Sequence, residues 1–138
     1  MQDRFKFRYL FDKKLYEVVL IDFKFNNIYL KIDDKYPLRT KFDDRKLVQC
    51  TGLKDKNGKL IYEGDIVQTT FDDNSKIIFY VIWNNENALF NGKIIKKREI
   101  SAFYINEDYL YYLLANGIDE KTEIIGNIFQ DKELMNEA

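Results

Sequence analysis

The chain has 138 residues and a formal net charge of −1 at pH 7, with 46% hydrophobic and 16% aromatic residues. This length favours a single domain, and the composition is typical of a folded core and not of a disordered segment. The nearly balanced charge argues against a whole surface adapted to nucleic acid or membrane. With one cysteine and no histidine, the chain cannot form an internal disulfide framework or a Cys/His zinc site, and His-dependent nucleophilic catalysis is excluded.

The charges are unevenly distributed along the chain. Residues 1–46 carry 12 Lys/Arg against 8 Asp/Glu, whereas residues 107–138 carry 2 against 8. We interpret this gradient as surface charge that is solvated separately at the two ends or that lets the ends attract each other.

The amino-terminal residues interleave charges with aromatics and contain no apolar stretch typical of a signal peptide. The longest apolar run, residues 77–83, is far shorter than the roughly 20 residues of a membrane-spanning helix. We therefore expect a cytoplasmic protein with no membrane partner.

Most of the chain shows strand patterns. Residues 5–11 alternate aromatic side chains with largely basic ones, which predicts a half-buried strand with an aromatic face and a basic face. A second strand pattern, residues 77–83, lacks polar alternation and indicates a central strand covered on both faces. Further strands are predicted at residues 15–25, 28–32, 47–50, 66–71, 88–90, 93–98 and 122–129, with a surface loop at 33–46 and turns at 12–14, 26–27, 72–75, 84–87 and 91–92.

Two turns lie in the central stretch of residues 47–67. Asn57-Gly58 is the dipeptide most typical of a type I′ turn, which needs positive φ at both central residues. Six residues later Gly64 is expected to adopt a conformation that a Cβ would oppose, and Asp65 to accept hydrogen bonds from the local backbone. We interpret all four residues as structural turn residues.

Two short helices complete the pattern. The first is predicted at residues 107–115, capped by Asn106 and ended by Asn116-Gly117, and the second at 132–136, capped by Asp131. Strands about every ten residues with two short helices predict a mainly β fold, a β-rich α+β arrangement, built as a small barrel or a strongly twisted antiparallel sheet. We expect one domain over residues 1–138, with amino-terminal strands and a loop at 1–46, a barrel-like core at 47–129 and an acidic tail at 130–138.

Two long blocks of sequence carry a family resemblance. The run CTGLKDKNGKLIYEGDIV at residues 50–67 and the run IIGNIFQDKEL at 124–134 resemble the YopX family of phage and prophage proteins. The opening FKFRYLFDKKLYEV at residues 5–18 is similar to the family more loosely, as is the middle of the chain at 71–121. The resemblance implies a phage or prophage protein, and it brings no catalytic residues to transfer.

The candidate chemical groups have simpler structural readings. Cys50 lies in a predicted strand, where a small core residue is expected more often than a reactive thiol. The acidic pairs Asp43-Asp44 and Asp72-Asp73 could bind a divalent ion, although adjacent carboxylates in turns are usually solvated. We therefore predict no catalytic residue, no metal and no cofactor.

A nucleic-acid interface is the alternative that the basic residues suggest. Cations beside aromatics on a sheet can contact phosphates while the rings stack on bases. The candidate contacts are Arg4, Lys6, Arg8, Lys96, Lys97 and Arg98. We favour the opposite arrangement, with the aromatics of residues 5–11 in the core and their basic neighbours in water.

The leading hypothesis is therefore a non-catalytic phage or prophage accessory protein that binds a host or phage protein. The alternative is a nucleic-acid-binding module that uses the basic positions above. A homo-oligomer is possible under either hypothesis. An enzyme ranks third, because the catalytic residue types are missing.

Overall fold

A computed structural model describes residues 5–98, 106–116 and 121–136 of the chain. The candidate contact Arg4 and the predicted helix stop at Gly117 lie outside these residues. The described residues form two antiparallel sheets, of six and four strands. This confirms the predicted mainly β fold.

The first sheet is built from the amino-terminal half of the chain. Its strands have the spatial order β4-β3-β2-β1-β5-β6. A turn with positive φ at both Asp12 and Lys13 connects β1 to β2, as a two-residue hairpin of right-handed twist requires. The bounds are β1 Phe7–Phe11, β2 Lys14–Asp22, β3 Asn27–Lys31, β4 Leu38–Lys41, β5 Leu47–Lys54 and β6 Leu60–Tyr62.

The second sheet follows directly, with the order β10-β7-β8-β9. Its strands are β7 Asp65–Thr70, β8 Lys76–Asn84, β9 Leu89–Arg98 and β10 Thr122–Asn127. Helix α1, Glu107–Asn116, packs on β9, and the short helix α2, Lys132–Met135, follows β10. A Cβ at Gly92 would lie 2.6 Å from Phe79 Cδ2 and 2.9 Å from Leu110 Cδ1, so this glycine allows the close approach of helix and sheet.

Several local predictions were wrong. Asn91-Gly92 lies inside β9 and forms no turn, because the chain reverses earlier, around Ala88, which has a φ of 53°. The predicted surface loop at 33–46 contains β4 and a 3₁₀ turn at Asp44–Lys46. The strands of the described chain leave open edges and close no barrel.

Three groups of buried apolar side chains stabilise the fold. The largest lies between the second sheet and α1 and includes Phe79, Val81 and Leu110. A second lies on one face of β1–β4 around Tyr9, Ile28 and Leu30. The third, around Val48, Cys50 and Tyr62, lies on β5 and β6.

Candidate functional site

Strand β1 contributes side chains to both faces of the first sheet. Tyr9 is buried in the second apolar group, and its hydroxyl accepts a hydrogen bond from Asp43 N–H at 3.0 Å. Arg8, on the opposite face, lies beside the third group, with its guanidinium carbon 3.9 Å from the centroid of the Tyr62 ring. The prediction that the aromatic side chains are buried and the cations solvated is therefore wrong for two residues. Phe5 is 67% exposed, and Arg8 is half-buried.

The stacked guanidinium of Arg8 faces a buried carboxylate. Its Nη1 lies 4.0 Å from Asp65 Oδ1, and the Asp65 side chain is only 3% exposed. The other oxygen, Oδ2, accepts a hydrogen bond from Tyr62 N–H at 2.8 Å. Burial raises the pKa of the Asp65 carboxyl to about 6, against the smaller lowering by the Tyr62 N–H and by Arg8.

Asp65 belongs to a turn that depends on Gly64. Gly64 has a φ of +86°, and a Cβ there would lie 2.5 Å from Phe129 Cε2. Its N–H donates to Val81 O at 2.8 Å, and its carbonyl accepts from Ile128 N–H at 2.9 Å. The turn between β6 and β7 is thus fixed by β8 on one side and by the residues after β10 on the other.

The Asn57-Gly58 turn is fixed by Asp55, which is buried. Asp55 Oδ1 accepts hydrogen bonds from Asn57 N–H at 2.9 Å and Lys59 N–H at 3.0 Å, and Oδ2 accepts from Ile124 N–H at 3.1 Å. Only Gly58 of the dipeptide has positive φ, so the predicted type I′ turn is not formed. Asp55 instead supplies an Asx-type turn.

The two turns border a cavity of about 530 Å³. It lies between β1, the β5–β6 hairpin and β10. Four cationic side chains line it together with the carboxylate of Asp65, and Leu60 and Ile124 add apolar surface. The four cations are Lys6, Arg8, Lys54 and Lys59.

The cavity brings together only part of the predicted basic set. Lys6 and Arg8 line it, as do Gly58 and Asp65. Lys96, Lys97 and Arg98 lie instead at the end of β9, opposite Ile78, Ile77 and Lys76 of β8. The cavity borders β10, and β9 and β10 form opposite edges of the second sheet, so the two cationic groups lie towards opposite edges of that sheet.

A second surface feature lies at the end of β2. Four apolar side chains are exposed there, and we call them the exposed apolar surface: Val19, Leu20, Phe23 and Phe25. Phe23 is 78% exposed and Phe25 69%. Val19 and Leu20 lie in β2. The turn that carries Phe23 and Phe25 is held by Asp22 Oδ1, which accepts from Lys24 N–H at 3.0 Å and Phe25 N–H at 3.2 Å. The Phe23 ring also meets Phe42 edge to face at 5.9 Å.

The acidic pairs considered for metal binding have cationic neighbours from the chain itself. Both oxygens of Asp43 accept hydrogen bonds from Arg45 at 3.0 Å, and this lowers the pKa of Asp43. Asp72 forms an ion pair with Lys121. Cys50 is fully buried in the third apolar group, where the prediction of a core residue placed it.

Sequence reasoning missed Lys54, Lys59, Tyr62 and Asp55. Lys54 and Lys59 flank the Asn57-Gly58 turn. The predicted turn therefore already indicated that these two cations lie close together. Tyr62 stands opposite Cys50 across the β5–β6 ladder, and this pairing could not be read from a segment with a shifted register. The long-range bond between Asp55 and Ile124 left no local signal.

In the part of the chain that the structure describes, no helix has the length and apolar character to cross a membrane. No curated protein matches the chain. The crystal structure of protein EF1440 from Enterococcus faecalis is similar over 94% of this chain and 96% of that one, with 21% sequence identity and a TM-score of 0.47. The family model described as YopX protein matches residues 6–136. Because that match spans nearly the whole sequence, this chain belongs to the YopX protein family.

Proposed function

We propose that this chain is a non-catalytic phage or prophage accessory protein that acts in the host cytoplasm by binding a host or phage protein. The observation that carries the proposal is the exposed apolar surface on an ordered turn. Exposure of two phenylalanine rings to water is unfavourable in free energy unless a partner covers them. Aromatic side chains are also enriched in protein–protein interfaces.

The chemistry around this surface favours a particular kind of partner. Lys24 lies over the Phe25 ring, with Nζ 5.4 Å from the centroid, and residues 1–46 carry four more cations than carboxylates, 12 against 8. The oxygen Oδ1 of Asp22 is occupied by its own turn. We therefore expect the partner to present an apolar patch bordered by acidic residues, since complementary charge favours association.

The test is affinity capture from infected host cells, with and without nuclease, followed by binding measurements on the purified partner. The double variant Phe23→Ser, Phe25→Ser should keep the fold and weaken binding by at least tenfold, because central aromatic contacts dominate interface energies. The control is Tyr111→Ser, which changes an exposed aromatic on α1, outside this surface.

Three results would contradict the proposal. One is equal capture by the wild type and the double variant. Another is loss of the captured partner on nuclease treatment, which would favour the nucleic-acid hypothesis. The third is a homodimer in solution that the double variant abolishes, because a second copy would then cover this surface.

A further inference from the structure

The cavity between β1, the β5–β6 hairpin and β10 contains Arg8, whose guanidinium forms no hydrogen bond with another described residue. Arg8 lies with one face on the Tyr62 ring at 3.9 Å. Its one ion-pair partner among the described residues is Asp65, at 4.0 Å, and this distance is beyond that of a hydrogen bond from a guanidinium N–H. The Arg8 side chain is 37% exposed and lines the cavity.

The two hairpin lysines add positive charge to the same space. The side chains of Lys54 and Lys59 are exposed, and neither forms an ion pair with a described residue. Asp55, the carboxylate nearest in sequence to both, accepts three backbone hydrogen bonds. Its charge acts on the backbone of its own turn and of β10, and the nearby charge of Lys59 also lowers the pKa of Asp55.

The cavity has a strong excess of positive charge. Arg8, Lys54 and Lys59 stand against one lining carboxylate, that of Asp65, which leaves a charge of +2 for these four groups when all are ionised. Burial raises the pKa of Asp65 to about 6, so its charge decreases further in mildly acidic solution. Glu17 stands opposite Arg8 on β2, but it is exposed and does not line the cavity.

We infer that this cavity binds a small phosphate-bearing anion, with Arg8 as the fixed ligand and with Lys54 and Lys59 closing over it from the hairpin. An arginine that is stacked on an aromatic ring loses little further freedom when it donates two parallel hydrogen bonds to a phosphate. The volume of about 530 Å³ is in the range of small-molecule sites, roughly 300–1,000 Å³. Leu60 and Ile124 offer an apolar wall for an organic group attached to the phosphate.

This inference is independent of the proposed protein partner, because the exposed apolar surface lies on β2 and the β2–β3 turn and shares no residue with the cavity. The probes are inorganic phosphate, pyrophosphate and AMP, titrated calorimetrically into the full chain at physiological salt, with chloride as the background anion. Pyrophosphate or AMP should bind with a dissociation constant below a millimolar. A preference for AMP would indicate that the apolar wall recognises the nucleoside, and a preference for pyrophosphate that the phosphates alone are bound; both support the site.

Three variants of the cavity and one control variant on β9 localise the binding. Arg8→Gln should weaken it at least tenfold, and Arg8→Lys should weaken it as well, because lysine keeps the charge but cannot form the planar pair of donors. The double variant Lys54→Gln, Lys59→Gln should also weaken it at least tenfold, and its two sites are exposed, so it tests the inference even if Arg8→Gln fails to fold. Lys96→Gln, Lys97→Gln removes the same amount of charge at the end of β9 and should leave the affinity unchanged.

The inference is overturned if none of the three anions binds, or if the β9 variant weakens binding as much as the hairpin variant does. It is also overturned if a single-stranded oligonucleotide binds more than a hundredfold tighter than AMP. That result would mean that the cations follow a nucleic-acid backbone and do not form a site for a small molecule.

Discussion

The carboxylate of Asp55 accepts a hydrogen bond from the backbone N–H of Ile124 at 3.1 Å, across 69 residues of sequence. Asp55 lies in one of the two blocks that resemble the YopX family, and Ile124 lies in the other. The blocks meet again where Ile128 N–H donates to Gly64 O at 2.9 Å and where Lys56 N–H donates to Thr122 O, beside the second block, at 2.8 Å. The two blocks that resemble the YopX family thus form one structural unit. In this unit, β10 and the residues after it fix the two turns.

Replacing Asp55 by Ala should destabilise this unit strongly. Three backbone N–H groups would lose their acceptor, and a buried donor without a partner costs about 1–3 kcal/mol. We expect a loss of about 2–4 kcal/mol in the free energy of unfolding, measured by denaturant titration, because water can reach part of the turn. The matched control is Asp34→Asn, at an exposed acidic position.

The pH dependence provides a second measurement on the same residue. Burial raises the pKa of Asp55, but its three backbone donors outweigh this, and the pKa lies below the usual value of 3.8. A lowered pKa in the folded state contributes stability above pH 3.8 that is lost as the pH falls through the folded value. If Asp55→Ala were as stable as Asp34→Asn, the three backbone hydrogen bonds to Asp55 would contribute nothing to the free energy of unfolding.

Gly64 and Gly58 should respond differently to the same substitution. Both have positive φ, +86° and +80°, and a left-handed conformation costs an alanine roughly 1–2 kcal/mol. At Gly58 a Cβ meets nothing within 4 Å, whereas at Gly64 it would lie 2.5 Å from the Phe129 ring. Overpacking adds about 1–3 kcal/mol, so Gly64→Ala should lose at least 1 kcal/mol more of unfolding free energy than Gly58→Ala.

A double-mutant cycle tests the cause of that difference. In a Phe129→Ala background the ring is absent, so the excess cost of Gly64→Ala over Gly58→Ala should largely disappear. An excess that persists at full size would assign the cost to the backbone alone. Equal costs of the two single variants would mean that Phe129 moves aside freely.

The sequence predicted these glycine turns better than it predicted the surfaces around them. Turn chemistry is local, so Gly64-Asp65 was interpretable without the rest of the chain, whereas the bond from Asp55 to Ile124 depends on tertiary structure. The alternation of residues 5–11 gave a correct strand but an incomplete account of its faces. A period of two separates the side chains of Arg8 and Tyr9 to opposite faces, and it cannot say that a second strand, β6, places Tyr62 under Arg8.

The cavity was beyond sequence reasoning for the same reason. Lys6 and Arg8 are more than 40 residues from Lys54 and Lys59 in the chain, and only the sheet order β1-β5-β6 brings them together. At Asn91-Gly92 the sequence predicted a turn that does not form. Gly92 lies instead within β9, where a small residue is needed beneath Leu110. Tertiary packing decided both cases.

Asp65 should make the protein less stable as the pH rises from about 4 to about 6. Its pKa is about 6 in the folded state against an ordinary value of 3.8, so between these values the folded state binds more proton than the unfolded state does. Stability therefore falls as the pH rises through this window. The full effect is on the order of 3 kcal/mol, at about 1.4 kcal/mol for each pKa unit.

The measurement compares wild type with Asp65→Asn by denaturant titration across this pH range. Asn keeps an oxygen that can accept from Tyr62 N–H, but it does not titrate. The stability of the wild type relative to the variant should thus decrease from pH 4 to pH 6 and stay level above about pH 7. A relative stability that increases over the same range would mean that Arg8 lowers the pKa of Asp65 more than burial raises it.

Finally, nucleic acid should bind weakly, because the fold separates the cations that would have to cooperate. Lys6 and Arg8 line the cavity, whereas Lys96, Lys97 and Arg98 lie on β9, at the edge of the second sheet opposite β10. Glu123 of β10 forms an ion pair with Lys56 beside the Asn57-Gly58 turn, so a carboxylate of the acidic carboxyl-terminal region already engages a cation of the hairpin. A continuous phosphate backbone would therefore meet one cationic group without the other.

We expect single-stranded and duplex DNA to bind no tighter than about 10⁻⁴–10⁻⁶ M at physiological salt, the range of non-specific association. Fluorescence anisotropy with labelled DNA measures this, and a salt titration reports how many phosphates are contacted, because the affinity falls with a slope proportional to that number. Submicromolar binding that is lost when Lys96, Lys97 and Arg98 are changed to Glu would contradict the expectation. The basic end of β9 would then be a nucleic-acid contact, and protein binding would become the second hypothesis.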